Sequence, residues 1–334
     1  MKKYTTITII CLIIAGSLFS QNQWRVNNAI GIDANFKTIQ AAFDSATAGD
    51  IIYIEGTNIP YDAATFNKPL TIIGTGYFLA VNDSTQANLA PSITGTININ
   101  AGAEGSYVAG LTAPIRVGAS NVIVERNNIS ALAIGYNNNV GNVVVRQNYI
   151  NTISDQNYYT SAVIQNNIIT HYITSSIKAN WLIYNNTVYS SYTSNSGAVN
   201  VFNSSIKNNI VINTQSSPVY QCINTTPDQN NNIEWNVCNK EPYNQPVLEN
   251  NIWTAEIDAI IVNEGAAEHK LYLPAGSPAI GYGEGGVDCG AYGGLNPYIL
   301  SGMPPVPHIF KASVPVSATT TGGLPVNVKI KSQK

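Results

Sequence analysis

Charge is scarce in this chain: 10% of its 334 residues are Asp, Glu, Lys or Arg, and the formal net charge is −3. Lys and Arg are scattered singly, so the basic patch that a nucleic-acid partner requires is missing. Histidine is scarcer still. His171, His269 and His308 stand apart and no CxxC occurs, a pattern that argues against a metal centre built on them. Beyond one apolar run at residues 7–19, no stretch is long enough to cross a bilayer as a helix. Of the four cysteines, Cys11 lies in that run. An odd set of Cys222, Cys238 and Cys289 remains, which cannot all pair; a core role for Cys238 and a Cys222 to Cys238 disulfide both fit the sequence. Carboxylates are thin too, with only Asp155 between Glu125 and Asp228. Regular outward Thr columns are absent, which disfavours an ice-binding face.

The chain is rich instead in apolar residues, at 44%, and in asparagine. Between residues 121 and 253 one pattern recurs seven times: an apolar residue, two variable residues, an Asn, one variable residue, an apolar residue. Its asparagines are Asn127, Asn148, Asn167, Asn186, Asn209, Asn236 and Asn251. Their steps average about 21 residues, a solenoid period. Within a copy the apolar residues sit two apart, as in Val122 and Val124 or Trp181 and Ile183, the period of a strand with one buried face. So short a strand cannot bury a core alone. The copies must stack, each coil hydrogen-bonded to the next at about 4.8 Å, as a parallel β-helix. One Asn per coil at the bend then predicts a ladder of side-chain amides.

Stacking also sorts the outward positions into columns. After the inward residue come Glu125, Arg146, Gln165, Tyr184, Lys207, Glu234 and Glu249; before it come Ile123, Val144, Val163 and Leu182, then Ser205, Asn232 and Val247. The first column predicts cross-coil ion pairs. The second is half apolar and predicts a cover, supplied by long loops or by the C-terminal tail.

Residues 1–20 have a positive start, an apolar run and a small residue before QNQ, the layout of a bacterial signal peptide, which predicts a secreted, extracellular or periplasmic protein without a transmembrane anchor in the mature chain. Residues 21–50 hold FKTIQAAFDSATAGD, which predicts an amphipathic helix capped by Asn35, stopped at Gly49, and placed over the open end of the coils. The coils are expected over 51–299. At 300–334 a Pro-rich linker leads to two alternating segments, 309–316 and 324–330, bent at Gly322 and Gly323: a β hairpin closing the C-terminal end or lying along the apolar stripe.

The run FKTIQAAFDSATAGDIIYIEGTNIPY, continuing to FNKPLTIIGTGYF, resembles the N-terminal cap and first coils of the pectin-lyase-like superfamily. LYLPAGSPAIGYG and VDCGAYGG resemble the closing coil of its secreted bacterial members, especially those of Bacteroidetes. The resemblance spans about residues 36–299 and implies an all-β, single-stranded right-handed parallel β-helix with a cap helix and a C-terminal β tail. It does not fix an activity, because one fold of this kind hosts lyases, hydrolases and adhesins.

Members that cleave acidic polysaccharide imply one of two chemistries: Ca²⁺ on several carboxylates with an Arg or Lys base, or paired acidic residues. The carboxylate-poor centre offers little for either, since Ca²⁺ takes six to eight oxygens. Lys207, Glu234 and Glu249 are the catalytic candidates, two carboxylates about 5 Å apart on successive coils, near the spacing of a retaining glycosidase pair. Arg116, Arg126 and Arg146 are candidates for a lyase base. Tyr158, Tyr159, Tyr172, Tyr184 and Tyr189 supply stacking faces suited to sugars. The balance favours a non-catalytic binding or structural solenoid, with polysaccharide as the partner and no cofactor; the alternative is a polysaccharide lyase or glycoside hydrolase, the lyase with Ca²⁺.

Overall fold

The computed structural model describes residues 21–317 and 323–332. The expected signal peptide, and Gly322 at the hairpin bend, lie outside the described residues. Two long sheets make the fold, and every pairing within them is parallel. The first has ten strands, running from Gln23–Val26 through Ile51–Ile54, Thr71–Ile73, Tyr107–Ala109, Ile123–Glu125, Val140–Arg146, Thr160–Gln165, Ala179–Tyr184 and Ser205–Lys207 to Asn232–Glu234. The second has twelve, its spine running from Ala64–Phe66 to Val237–Cys238. The chain passes from one sheet to the other in each coil, so the protein is an all-β parallel β-helix.

Register puts identical positions of the repeat on top of one another. In the first sheet Val124, Val145, Ile164, Ile183, Ile206 and Ile233 are successive partners; in the second, Ile129, Ile150, Ile169, Val188, Val211 and Cys238. All are buried between the sheets. Apolar side chains stacked in this way remove both faces of each pair from water, at about 25 cal/mol per Å².

The bend between the sheets is made by two residues. The first takes a left-handed backbone: Arg126, Gln147, Asn166, Asn185, Asn208, Trp235 and Asn250 have φ of 52 to 59°. The second is the repeated Asn. Asn127 Nδ2 donates to Asn148 Oδ1 at 3.1 Å, and the contact repeats at 3.0 Å through Asn167, Asn186, Asn209 and Asn236, ending at Asn251 at 2.9 Å. Each Oδ1 from Asn148 onward also accepts the backbone N–H of the preceding Asn, at 2.8 to 3.0 Å. One side chain therefore satisfies polar groups of two coils, and buried polar groups of this kind cost free energy when left unpaired.

The N-terminal end is covered by the helix Ile39–Ser45, whose Ile39, Ala42 and Phe43 are buried. Phe43 meets Phe66 edge-on with ring centroids 4.8 Å apart. The cap differs from expectation. Thr38, not Asn35, is the N-cap and accepts from Ala41 N–H at 3.3 Å; Asn35 Oδ1 instead accepts from Arg25 N–H at 2.8 Å, and Ala46 closes the helix before Gly49. The strand Gln23–Val26 precedes the helix and heads the first sheet, so the stack begins earlier than its cap.

Coils end at Ile252, which bridges to Val237, rather than running on to 299. Residues 255–303 contain only short helical turns, in keeping with their Gly- and Pro-rich sequence, which supplies no alternating strand. This segment turns back as a strap toward the N-terminal end. Asn208 Oδ1 accepts from Glu284 N–H, Asn185 Nδ2 donates to Asp288 O, Asn166 Nδ2 to Ala291 O and Gly293 O, Gln147 Nε2 to Pro297 O, and Arg126 Nη1 to Met303 O. The left-handed residues of successive bends thus hold the strap, coil by coil. Beneath it lie Tyr149, Ile168, Ile210 and Val237, outward positions of the second sheet, packed on Ile260, Leu271, Ala279 and Cys289. A cover therefore exists, but over the other sheet: Ile123, Val144 and Val163 stay half-buried and Leu182 is 46% exposed. The antiparallel hairpin His308–Ser313 with Asn327–Lys331 likewise joins the N-terminal coils and does not close the C-terminal end, since Ala87 N–H donates to Ile309 O at 2.8 Å.

A buried carboxylate locks the strap. Glu268 Oε1 accepts from Tyr298 OH at 2.6 Å and Ser301 N–H at 3.0 Å, Oε2 accepts from Asn82 Nδ2 at 2.8 Å, and Tyr77 and Tyr298 hydroxyls meet at 2.6 Å. Burial raises the Glu268 pKa, outweighing the lowering by these donors. The folded state then holds the Glu268 proton more tightly than the unfolded chain does. Its contribution to stability is full below the ordinary Glu value of about 4.3 and is lost as pH rises through the raised value. Glu268→Gln is expected to flatten that part of the pH dependence of the melting temperature; an unchanged slope above about pH 4.3 would contradict it.

Candidate functional site

The outward face of the first sheet carries the charged column as a physical row. Glu125, Arg146, Gln165, Tyr184, Lys207 and Glu234 are successive register partners. Its two ends differ. At the N-terminal end the Glu125 side chain is only 5% exposed and lies 3.0 Å from Arg146 Nη2 and 3.3 Å from Arg126 Nε. Tyr107, next to Glu125 across the preceding coil junction, has its phenol pKa pushed up by burial and by that carboxylate.

At the other end Lys207 Nζ sits 3.0 Å from Glu234 Oε2 and 3.1 Å from Glu284 Oε1. The Lys207 hydrogen bond holds the Glu234 carboxyl below the usual range, and Glu234 and then Glu284 raise the lysine in return. A carboxyl held ionised in this way is a poor proton donor near neutral pH. The third member of the cluster is thus Glu284, from the strap, and not Glu249. Glu249 is exposed beyond the last strand of the first sheet and makes no ion pair among the described residues. The uneven loop between Asn236 and Asn251 takes that column position out of the sheet.

Of the arginines proposed from sequence, Arg126 and Arg146 share the Glu125 carboxylate and Arg116 stands apart. Arg146 pairs with Glu125, Arg126 Nε donates to Gln147 Oε1 at 2.8 Å while also holding the strap, and Arg116 lies on the second sheet, 4.9 Å over the Tyr136 ring. Among the described residues no three His, Cys, Asp or Glu side chains converge as a metal site would require.

The five tyrosines occupy four places and do not line one groove. Tyr158 and Tyr159 sit in the exposed turn before Thr160–Gln165, with Lys178 Nζ 5.6 Å from the Tyr159 ring. Tyr172 on the second sheet meets Tyr192 with ring centroids 4.7 Å apart and planes tilted by 40°, beside His171. Tyr184 stands alone in the charged column. Tyr189 lies under the strap, its hydroxyl donating to Asn263 Oδ1 at 3.1 Å and its ring 4.2 Å from Lys270 Nζ. Cys222, Cys238 and Cys289 are free and buried, Cys222 Sγ donating to Asn239 Oδ1 at 3.2 Å.

The bend residues that hold the strap escaped sequence reasoning because they fill a position the repeat leaves variable. A signal was present: the residue before the ladder Asn is itself Asn in four of seven copies, the side chain most tolerant of a left-handed backbone. Among the described residues no helix is long and apolar enough to cross a membrane. No protein-family model matches the chain, and no curated protein matches it significantly. What fold and site define together is a parallel β-helix whose ten-stranded sheet bears a row of internally paired charges.

Proposed function

We propose that this protein is a secreted, pectin-lyase-like β-helix that binds glycan outside the cell or in the periplasm and does not cleave it. One observation carries the non-catalytic part. The two carboxylates in the strands of the central column each hold a cation, Glu125 with Arg126 and Arg146 and Glu234 with Lys207, so neither stands as an unpaired acid or base facing a substrate on that face. Binding is supported by exposed Tyr159 and half-buried Tyr172, Tyr184 and Tyr192 among amide-rich turns, since sugars combine apolar ring faces with hydroxyl groups that both give and accept hydrogen bonds. Secretion is supported by the layout of residues 1–20. The test is a panel of neutral and acidic polysaccharides, read both for retention of the protein and for new reducing or unsaturated ends. Retention without new ends is the expected result. New ends that disappear in Glu234→Gln would replace this reading with a hydrolase or lyase.

A further inference from the structure

A cavity of about 730 Å³ opens where the returning C-terminal tail meets the first coils. It is remote from the charged column's centre and falls within the range of about 300 to 1,000 Å³ typical of small-molecule sites. Three neighbouring outward positions of the first sheet, Arg25, Tyr53 and Ile73, contribute to its floor; Gln86 comes from a loop and His308 from the tail. The bond from Ala87 N–H to Ile309 O ties loop and tail together at the rim.

The lining is chemically mixed but electrically balanced. Arg25 Nε lies 2.5 Å from Glu55 Oε1, so the two formal charges within the cavity cancel. A charged ligand would have to compete with that pair; a neutral one would not. His308 is 7% exposed, and its Nε2 is buried without a hydrogen-bond partner, while Nδ1 lies 3.2 Å from Val306 O. That nitrogen is enclosed by protein, so the His308 ring forms part of the cavity wall and offers a ligand no contact through Nε2. Gln86 spends one N–H on Thr75 O at 3.2 Å, which leaves its amide oxygen for a further donor, whereas Asn88 both donates to Gly56 O and accepts from Ala90 N–H, each at 3.1 Å. Amides beside an aromatic ring and aliphatic walls match a ligand with an apolar face and a rim of hydroxyls.

We propose that this cavity is a subsite for a neutral saccharide of one or two sugar units, with Tyr53 as its stacking platform and Gln86 as a hydroxyl partner. The inference rests on the glycan-binding reading above and gives it a location and a ligand class. The full-length mature protein would be titrated calorimetrically with cellobiose, xylobiose, maltose and diacetylchitobiose, and with digalacturonate as the charged comparison. At least one neutral disaccharide is expected to bind, about tenfold more weakly to Tyr53→Ala and to Gln86→Ala, with Tyr243→Ala at the far end unchanged. Unaltered melting curves for the two cavity variants establish that the loss is local. Neutral binding that survives both variants, or binding of digalacturonate alone, overturns the cavity proposal. Retention on polysaccharide with no disaccharide bound overturns it while leaving the broader reading; no saccharide bound in any form overturns both.

Discussion

Asn167→Ala is expected to lower the free energy of unfolding by about 3 kcal/mol in chemical denaturation, among the larger effects of any single side chain here. Its Nδ2 donates to Asn186 Oδ1, Val145 O and Gln165 O at 2.9 to 3.0 Å, and its Oδ1 accepts both the backbone and the side-chain N–H of Asn148 at 3.0 Å. Alanine removes all of these at once. The groups left behind are buried inside the stack. At the end of the ladder the same change should matter less: Asn251 is half-buried, and Asn251→Ala is expected to cost about 1 kcal/mol. Equal effects at the two positions would mean that the amide column does not act through burial.

The second large effect is expected at Glu125. Glu125→Ala leaves the Arg126 side chain, 5% exposed, and the Arg146 side chain, 33% exposed, without their shared carboxylate. Removing one partner of a buried charge cluster costs about 3 to 5 kcal/mol, because the cations that remain lose the carboxylate that offset their desolvation. Glu234→Ala is the internal control. That side chain is 34% exposed and its Lys207 keeps Glu284, so the loss should stay below about 1 kcal/mol. Denaturation midpoints of the two variants decide the matter. A Glu125→Ala protein as stable as Glu234→Ala would show that the column's N-terminal end is solvated in practice.

These two residues also show what a sequence of this kind discloses. The spacing of Asn127, Asn148 and Asn167 disclosed the stack, because a side chain that must bond its counterpart one coil away leaves a period in the chain. Register then followed, and with it the neighbours Glu125 with Arg146 and Lys207 with Glu234. Burial did not follow. Nothing in the repeat says that Glu125 is nearly enclosed while Glu234 is a third exposed.

The strap was hidden for a different reason. Residues 255–303 have no period, and their placement depends on single contacts such as Asn166 with Ala291 and Glu268 with Tyr298, separated by 125 and 30 residues. Long-range contacts without repetition leave no trace in local pattern. The same blindness moved the expected cover to the wrong sheet and replaced Glu284 by Glu249 in the Lys207 cluster. Tyr53 and His308, which share the junction cavity, come from opposite ends of the chain and could be joined only by the returning tail.

Native-state hydrogen exchange, resolved at the backbone amides of the ladder asparagines, probes the stacked column most directly. The N–H groups of Asn127, Asn148, Asn167, Asn186 and Asn209 each donate to the next side-chain oxygen at 2.8 to 3.0 Å inside the stack. They should exchange only through the largest opening of the molecule, with nearly equal free energies, and Asn167→Ala should speed exchange at Asn148 before any other ladder amide. Exchange of these amides as fast as that of the exposed turn around Tyr159 would contradict the stacked-coil account at its base.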